Sequence, residues 1–242
     1  MRRPLFSMVI IFYDEAENVV SVVSSLEERL GSSNLEFQLI LVNNGSRDNT
    51  GELIKNFAEK DERVKMVIVS ENQGYGWGII RGLQEVDGEI IGYMGGDGQV
   101  RAEDVIKIAK EMLTENYDIV KAKRVKREDG IIRKIISKLY VVLFSIMFGM
   151  RFYDINASPI VFKRELLRKL QLQSKDWFLD AEIMIKAKYL RLQIKELSII
   201  FQNRKAGKSS VGFTTVIEFL KNMFYYKFGG EIKKWKEKNL LK

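Results

Sequence analysis

Neither cysteine nor histidine occurs in these 242 residues, and the two absences remove whole classes of chemistry. Without cysteine there is no disulfide framework and no thiolate metal centre, which fits a reducing compartment. Without histidine there is no Ser-His-Asp triad, no His-ligated zinc and no imidazole proton relay. Catalysis is left to carboxylates, Lys, Arg, Tyr and hydroxyls. Proline is scarce too, with Pro4 and Pro159 alone, so no proline-rich linker divides the chain. The longest uncharged run, Leu139 to Met150, is twelve residues, short of the roughly 18 to 20 needed to span a bilayer. Residues 1 to 11 are basic then apolar, but Asp14, Glu15 and Glu17 follow at once, so no signal peptide is expected.

What is present describes a folded α/β protein. Apolar residues make up 46% and charged residues 30%, enough core for one large domain. The net charge of +8 is unevenly spread: residues 121 to 138 carry eight Lys/Arg against two acids, and residues 202 to 242 carry ten against three. A basic surplus confined to two segments points to a localised anionic partner such as phosphate, a membrane surface or nucleic acid. Nucleic acid fits least well, because the basic residues adjoin apolar runs and not an aromatic stacking platform.

Residues 7 to 13, 36 to 42, 64 to 69, 89 to 94 and 117 to 122 read as strands. Helical patterns lie between them, near 15 to 30, 48 to 60, 75 to 86 and 102 to 115. Short-spaced alternation of this kind predicts right-handed crossovers and a mostly parallel sheet, whose ligands bind at the carboxyl ends of the strands. Tyr13, Asn43, Asn44 and Asp97 stand at those ends. After residue 122 the alternation stops. Strands near 158 to 163 and 193 to 201, a helix near 180 to 190 and two helices after Thr214 follow.

One acidic residue, Asp97, sits in IGYMGGDGQ, just past an apolar strand and among glycines. Such a carboxylate can hold a divalent cation, and the glycines let phosphates approach the backbone. NQGYGWGIIRG invites comparison with a dinucleotide fingerprint, but Ile79 stands where the third glycine belongs. A Walker A lysine motif is absent.

MVIIFYDEAEN, LVNNGSRDNT, ENQGYGWGIIRGL, YMGGDGQV and AKRVKREDGIIRKIIS follow one another in order, and DINASPIVFKRELL, FLDAEIMIKA and RKAGKSSV continue them. Together they resemble a family 2 glycosyltransferase in the dolichol-phosphate mannosyltransferase-like branch. The resemblance implies a GT-A (Rossmann-like) α/β fold, a mostly parallel sheet flanked by helices. It places the glycosyltransferase domain at residues 1–212, with basic amphipathic helices following at 213–242. The uncharged run, flanked by Lys134, Lys138 and Arg151, reads either as membrane-interface helices over residues 131–152 or as a buried core helix. The implied enzyme is an inverting hexosyltransferase dependent on Mg²⁺ or Mn²⁺. It moves a sugar from a GDP- or UDP-sugar to a polyprenyl or dolichyl phosphate on the cytoplasmic face of a membrane, and the C-terminal surface also suits a membrane-protein partner.

Residue by residue, the resemblance assigns Ile11, Tyr13, Glu15, Asn43, Gly96 and Asp97 to the nucleotide. Ile11 stands where the family usually has Pro, Asp14 where it has Asn, and Asn43 where it has Asp. Asp97 and Gln99 match the metal-binding motif, with Gly95 at its first Asp position. Arg124, Arg133 and Ser137 match positions that receive the acceptor phosphate. Arg204 matches the arginine that reaches the donor diphosphate, and Lys208 stands near the lysine position that Ser210 occupies. Asp97, Arg124, Arg133 and Arg204 would carry catalysis. A phosphate acceptor suits a chain without histidine, because its dianion needs no general base at neutral pH. The alternatives are a hydroxyl acceptor on a glycan, lipid or protein, with Asp154, Asp180 or Glu182 as base, and a degenerate protein that binds nucleotide-sugar without turnover.

Overall fold

The fold is described from a computed structural model, which covers residues 5–126, 131–204 and 213–240. Four βα units open the chain: β1 (Phe6–Phe12), α1 (Ala16–Gly31), β2 (Phe37–Asn44), α2 (Thr50–Lys60), β3 (Val64–Val69), α3 (Tyr75–Gly82), β4 (Ile90–Gly95) and α4 (Ala102–Thr114). They are followed by β5 (Ile119–Lys126), α5 (Ile131–Phe148), β6 (Ile160–Lys163), α6 (Leu166–Leu170), α7 (Leu179–Tyr189), β7 (Ile194–Ile200), α8 (Phe213–Phe228) and α9 (Glu231–Leu240). The strands form one sheet in the order β3-β2-β1-β4-β6-β5-β7. All pairings are parallel except those of β6, which runs antiparallel to both β4 and β5. Strand order reverses at β1, which pairs with β2 on one side and β4 on the other. That switch point is where an open α/β sheet leaves a crevice.

The alternation of side chains along each strand divides the core into two layers. Val9 and Ile11 of β1 join Ile79, Phe144, Phe178 and Ile183 on one face, whereas Met8, Ile10 and Phe12 join Val19, Leu26, Val105 and Ile108 on the other. The expected helix over 75 to 86 stops at Gly82, because the amides of Gln84 and Glu85 bond three residues back, to Arg81 and Gly82, and the chain tightens into turns. α6 was not expected from the sequence.

The twelve-residue apolar run lies mostly on α5 and has two faces. Phe144 and Phe148 are buried in the core, while Leu139, Val142 and Ile146 are 64%, 55% and 75% exposed. Phe144 and Phe148 are therefore core residues, as the core-helix alternative expects, while the opposite face of the run stays exposed. Gly149, with φ of 62°, ends the helix in the left-handed region. The ammonium groups of Lys188 and Lys227 donate to its last carbonyls, neutralising the negative end of the helix. α8 and α9 are not surface additions: Met223, Tyr226, Ile232 and Trp235 are buried, and Trp235 Nε1 donates to Lys169 O at 2.9 Å. Among the described residues no helix is long and apolar enough to cross a membrane.

Candidate active site

The carboxyl ends of β1, β2 and β4 are stitched together by short polar side chains. Ser46 N–H donates to Asn43 Oδ1 at 3.0 Å, closing the turn after β2. Asp14, at φ 51°, accepts from Arg47 N–H at 2.7 Å and donates its own N–H to Ser46 Oγ at 3.1 Å. Glu15 N–H donates to Thr50 Oγ1 and Ala16 N–H to Asp48 Oδ2. The start of α1 thus finds its hydrogen-bond acceptors in a neighbouring loop and not in its own cap. Tyr13 stands at the rim, 36% exposed.

Gly96 follows β4 and donates its N–H to Ile11 O at 2.8 Å. A Cβ on Gly96 would strike the Phe12 ring, whereas one on Gly95 would meet nothing within 4 Å. Asp97 accepts from Gln99 N–H at 3.1 Å. Burial pushes its carboxyl above the usual range, opposed by that amide and by the charges of Arg204 and Arg124. Burial likewise raises Glu15; Asn18 and Arg204 hold it down, and the charge of Asp97 pushes it up. These two carboxylates therefore sense each other. Arg204 comes to them from the far end of the chain. Gln99 and Gln202 exchange two hydrogen bonds of 2.9 Å, zipping residues 201–204 onto the Asp97 turn, and Arg204 Nη2 forms an ion pair with Glu15 Oε1.

A second charged group lies across the sheet. Arg124 on β5 grips Asp154 through Nε and Nη2 at 2.6 and 2.7 Å. Lys121, with no exposed surface, donates to the carbonyls of Asp154 and Ile155. Asp180, at the start of α7, accepts from Tyr93 Oη at 2.6 Å. Burial pushes its carboxyl up to about 6, although Tyr93, Lys121 and Arg124 pull it down. Tyr75 stacks on Trp177 at 4.3 Å and 12°, and its phenol is within electrostatic reach of Asp180, Asp97 and Arg124. The two charged groups thus face one region.

Other expectations fall differently. Asp180 and Glu182, two of the candidate bases, are both buried. Glu182 is fully engaged: it accepts the amides of Gln173 and Ser174 and pairs with Lys186. Asp154 is committed to Arg124. The glycines of the fingerprint-like run serve packing. A Cβ on Gly74 or Gly76 would strike backbone carbonyls of Lys175 or Ser174, so α3 and the loop before α7 approach backbone to backbone. The backbone of Arg133 and Ser137 is on α5, but their side chains lie outside the described residues, as do Lys208 and Ser210. Among the described residues no three acidic groups cluster to hold a metal.

The family described as Glycosyl transferase family 2 matches residues 7–173, well over half of the chain. The protein belongs to glycosyltransferase family 2. Among its relatives is the undecaprenyl-phosphate 4-deoxy-4-formamido-L-arabinose transferase of Photorhabdus laumondii, 25% identical over 216 residues, covering 88% of this chain and 65% of that protein. The enzyme of the same name from Shewanella sediminis is 26% identical, covering 88% and 64%. The chain thus spans slightly less than two thirds of the length of these curated relatives. Among solved structures, glucosyl-3-phosphoglycerate synthase from Mycobacterium tuberculosis superposes with a TM-score of 0.74 at 16% identity, covering 93% of this chain and 80% of that one. That structure holds Mn²⁺, UDP and glucosyl-3-phosphoglycerate; a second, with Mn²⁺, UDP-glucose and phosphoglyceric acid, also superposes with a TM-score of 0.74, at 17% identity. Likeness at this level establishes the GT-A fold.

Sequence reasoning missed Tyr75, Tyr93, Lys121 and Trp177 in this family 2 protein. For Lys121 there was a signal, a lysine inside the strand IVKAKRVK. The two tyrosines and the tryptophan had none, because aromatic residues in such positions read as core.

Proposed function

We propose that this protein transfers a sugar from a nucleoside diphosphate sugar, with inversion and with Mg²⁺ or Mn²⁺, to a hydroxyl of an acceptor that also carries an anionic group. One observation carries the acceptor half: the buried carboxyl of Asp180, held near pKa 6, lies in reach of the Arg124 guanidinium. A carboxyl so raised is ionised at neutral pH and still basic enough to take a proton. In the transfer, the acceptor oxygen bonds to the anomeric carbon as its proton passes to Asp180. The bond from that carbon to the diphosphate oxygen breaks on the opposite face. Tyr13, Glu15, Asn43 and the backbone at Ile11 and Gly96 surround the nucleoside. Arg204 serves the diphosphate, which competes with Glu15 for its guanidinium.

Asp97, a single half-buried carboxylate, would hold the ion, leaving the rest of its coordination to diphosphate and water. Gln99 is a second oxygen donor beside it. When bound, the ion neutralises the leaving diphosphate. The Mn²⁺ and UDP held by the structural neighbours support this reading of the donor half.

A polyprenyl phosphate is the second reading, and observations outside the site favour it. The exposed stripe of Leu139, Val142 and Ile146 on α5, with Phe224 and Phe228 on α8, suits the surface of a bilayer. The curated relatives are named undecaprenyl-phosphate transferases. Arg124, Arg133 and Ser137 would then meet the phosphate, which attacks without a base, and the enzyme would sit peripherally on an anionic membrane. The test is transfer from UDP-glucose and GDP-mannose, with Mn²⁺, to 3-phosphoglycerate and to farnesyl phosphate. Product with the first acceptor alone supports the hydroxyl reading, and product with the second alone replaces it. Nucleotide binding without any transfer or donor hydrolysis would leave only a binding protein.

A further inference from the structure

Lys121 and Glu196 stand directly opposite each other on the parallel strands β5 and β7, and both reach the same short segment. The Lys121 ammonium donates to the carbonyl oxygens of Asp154 and Ile155, the second at 3.1 Å. The Glu196 carboxylate accepts the amide N–H groups of Tyr153 and Asp154 at 3.1 and 3.3 Å. Two side chains of opposite charge therefore grip four backbone groups of residues 153–155. The Asp154 side chain leaves that segment to meet Arg124 fork to fork at 2.6 and 2.7 Å, a contact that fixes the plane of a guanidinium as well as its position. A buried ammonium is costly to maintain, and burial lowers the pKa of Lys121 accordingly. A neutral loop could be held by backbone pairing alone.

We propose that Lys121 and Glu196 are positioning residues, a cross-strand clamp that sets the guanidinium of Arg124 through the 153–155 segment and so tunes how tightly the acceptor's anionic group is held. The proposal rests on the reading of Arg124 as an acceptor-anion ligand. Both act through the 153–155 segment, and Lys121 has no exposed surface to offer a substrate. Lys121 also faces Asp180, whose surroundings include Tyr93 from β4, Arg124 from β5, Tyr75 from α3, Tyr140 from α5 and Asp154.

The test compares Lys121→Met and Glu196→Gln with the unaltered protein, using UDP-glucose or GDP-mannose with 3-phosphoglycerate and farnesyl phosphate. The acceptor KM should rise about 10- to 100-fold in Lys121→Met, the scale of misplacing a binding group by about 1 Å, while the donor KM stays within about twofold. The acidic limb of the pH profile should move up, because the charge that lowers Asp180 is gone. Glu196→Gln should move the acceptor KM in the same direction by less, and it decides the matter if Lys121→Met does not fold. Equal rises in both KM values, or an unchanged acceptor KM in a folded variant, overturn the proposal. Hydrogen exchange provides an arm that needs no activity: the amides of residues 153–155 should exchange faster in both variants while α1 stays protected. If the unaltered protein transfers no sugar, the glycosyl-transfer reading fails, and unchanged exchange at 153–155 separately overturns the clamp.

Discussion

Asp180→Asn separates stability from chemistry in one substitution. The aspartate titrates near 6 in the folded protein against an ordinary 3.8. Between those values the folded state binds more protons than the unfolded one, so stability falls as pH rises through the interval. A shift of about two units corresponds to roughly 3 kcal/mol, lost between about pH 4 and pH 7. Asparagine keeps an oxygen for the Tyr93 hydroxyl at the 2.6 Å position and has no charge to bury. Urea melts from pH 4 to 7.5 should therefore show the variant gaining on the unaltered protein by about 3 kcal/mol as pH rises. Transfer to a hydroxyl acceptor should fall by about 10²- to 10⁴-fold, the usual contribution of a general base, whereas transfer to a phosphate dianion should fall far less. Parallel stability curves across that range would refute the burial argument. Full activity of the variant on a hydroxyl acceptor would refute the assignment of the base.

Asp97→Asn should abolish the Mn²⁺-dependent part of UDP binding, and calorimetry giving equal affinity with and without the carboxylate would sink the assignment. Gly95→Asp adds a carboxylate where a Cβ meets no atom within 4 Å. Mn²⁺ affinity measured by paramagnetic resonance should tighten by about tenfold or more, since adjacent charges near a protein surface interact by several kcal/mol before desolvation. Affinity should rise with pH in both proteins, because burial delays the ionisation of Asp97; weaker binding at pH 8 than at pH 6 would contradict this. Replacing Leu139, Val142 and Ile146 together with Ser should leave the protein folded and reduce its salt-sensitive binding to anionic vesicles. Phe144→Ala, on the inner face, should cost roughly 3 to 5 kcal/mol in a denaturant melt. A triple variant that binds vesicles unchanged would remove the membrane role from α5.

The seven strands, their mostly parallel pairing and the ends that carry Tyr13, Asn43 and Asp97 were legible in the sequence. Buried strands are apolar runs with clear turn signals, and the carboxyl ends of such a sheet hold its ligands for topological reasons. The departures at Gly95 and Asn43 were equally plain. What the sequence could not reveal is which side of an element faces what. From Leu139 on, α5 carries no charge on any side, so only its packing separates the inner Phe144 from the outer Ile146. Asp180 and Glu182 both lie within a helix buried from Leu179 to Ala187, and each charge is explained by a partner: Tyr93, 87 positions earlier, and Lys186 on the next turn. Arg204 meets Glu15 across 189 positions because residues 201–204 lie against the Asp97 turn. Local pattern encodes the period of a helix or strand. Burial of a charge, and the pKa that follows from it, depends on neighbours that only the assembled sheet brings together.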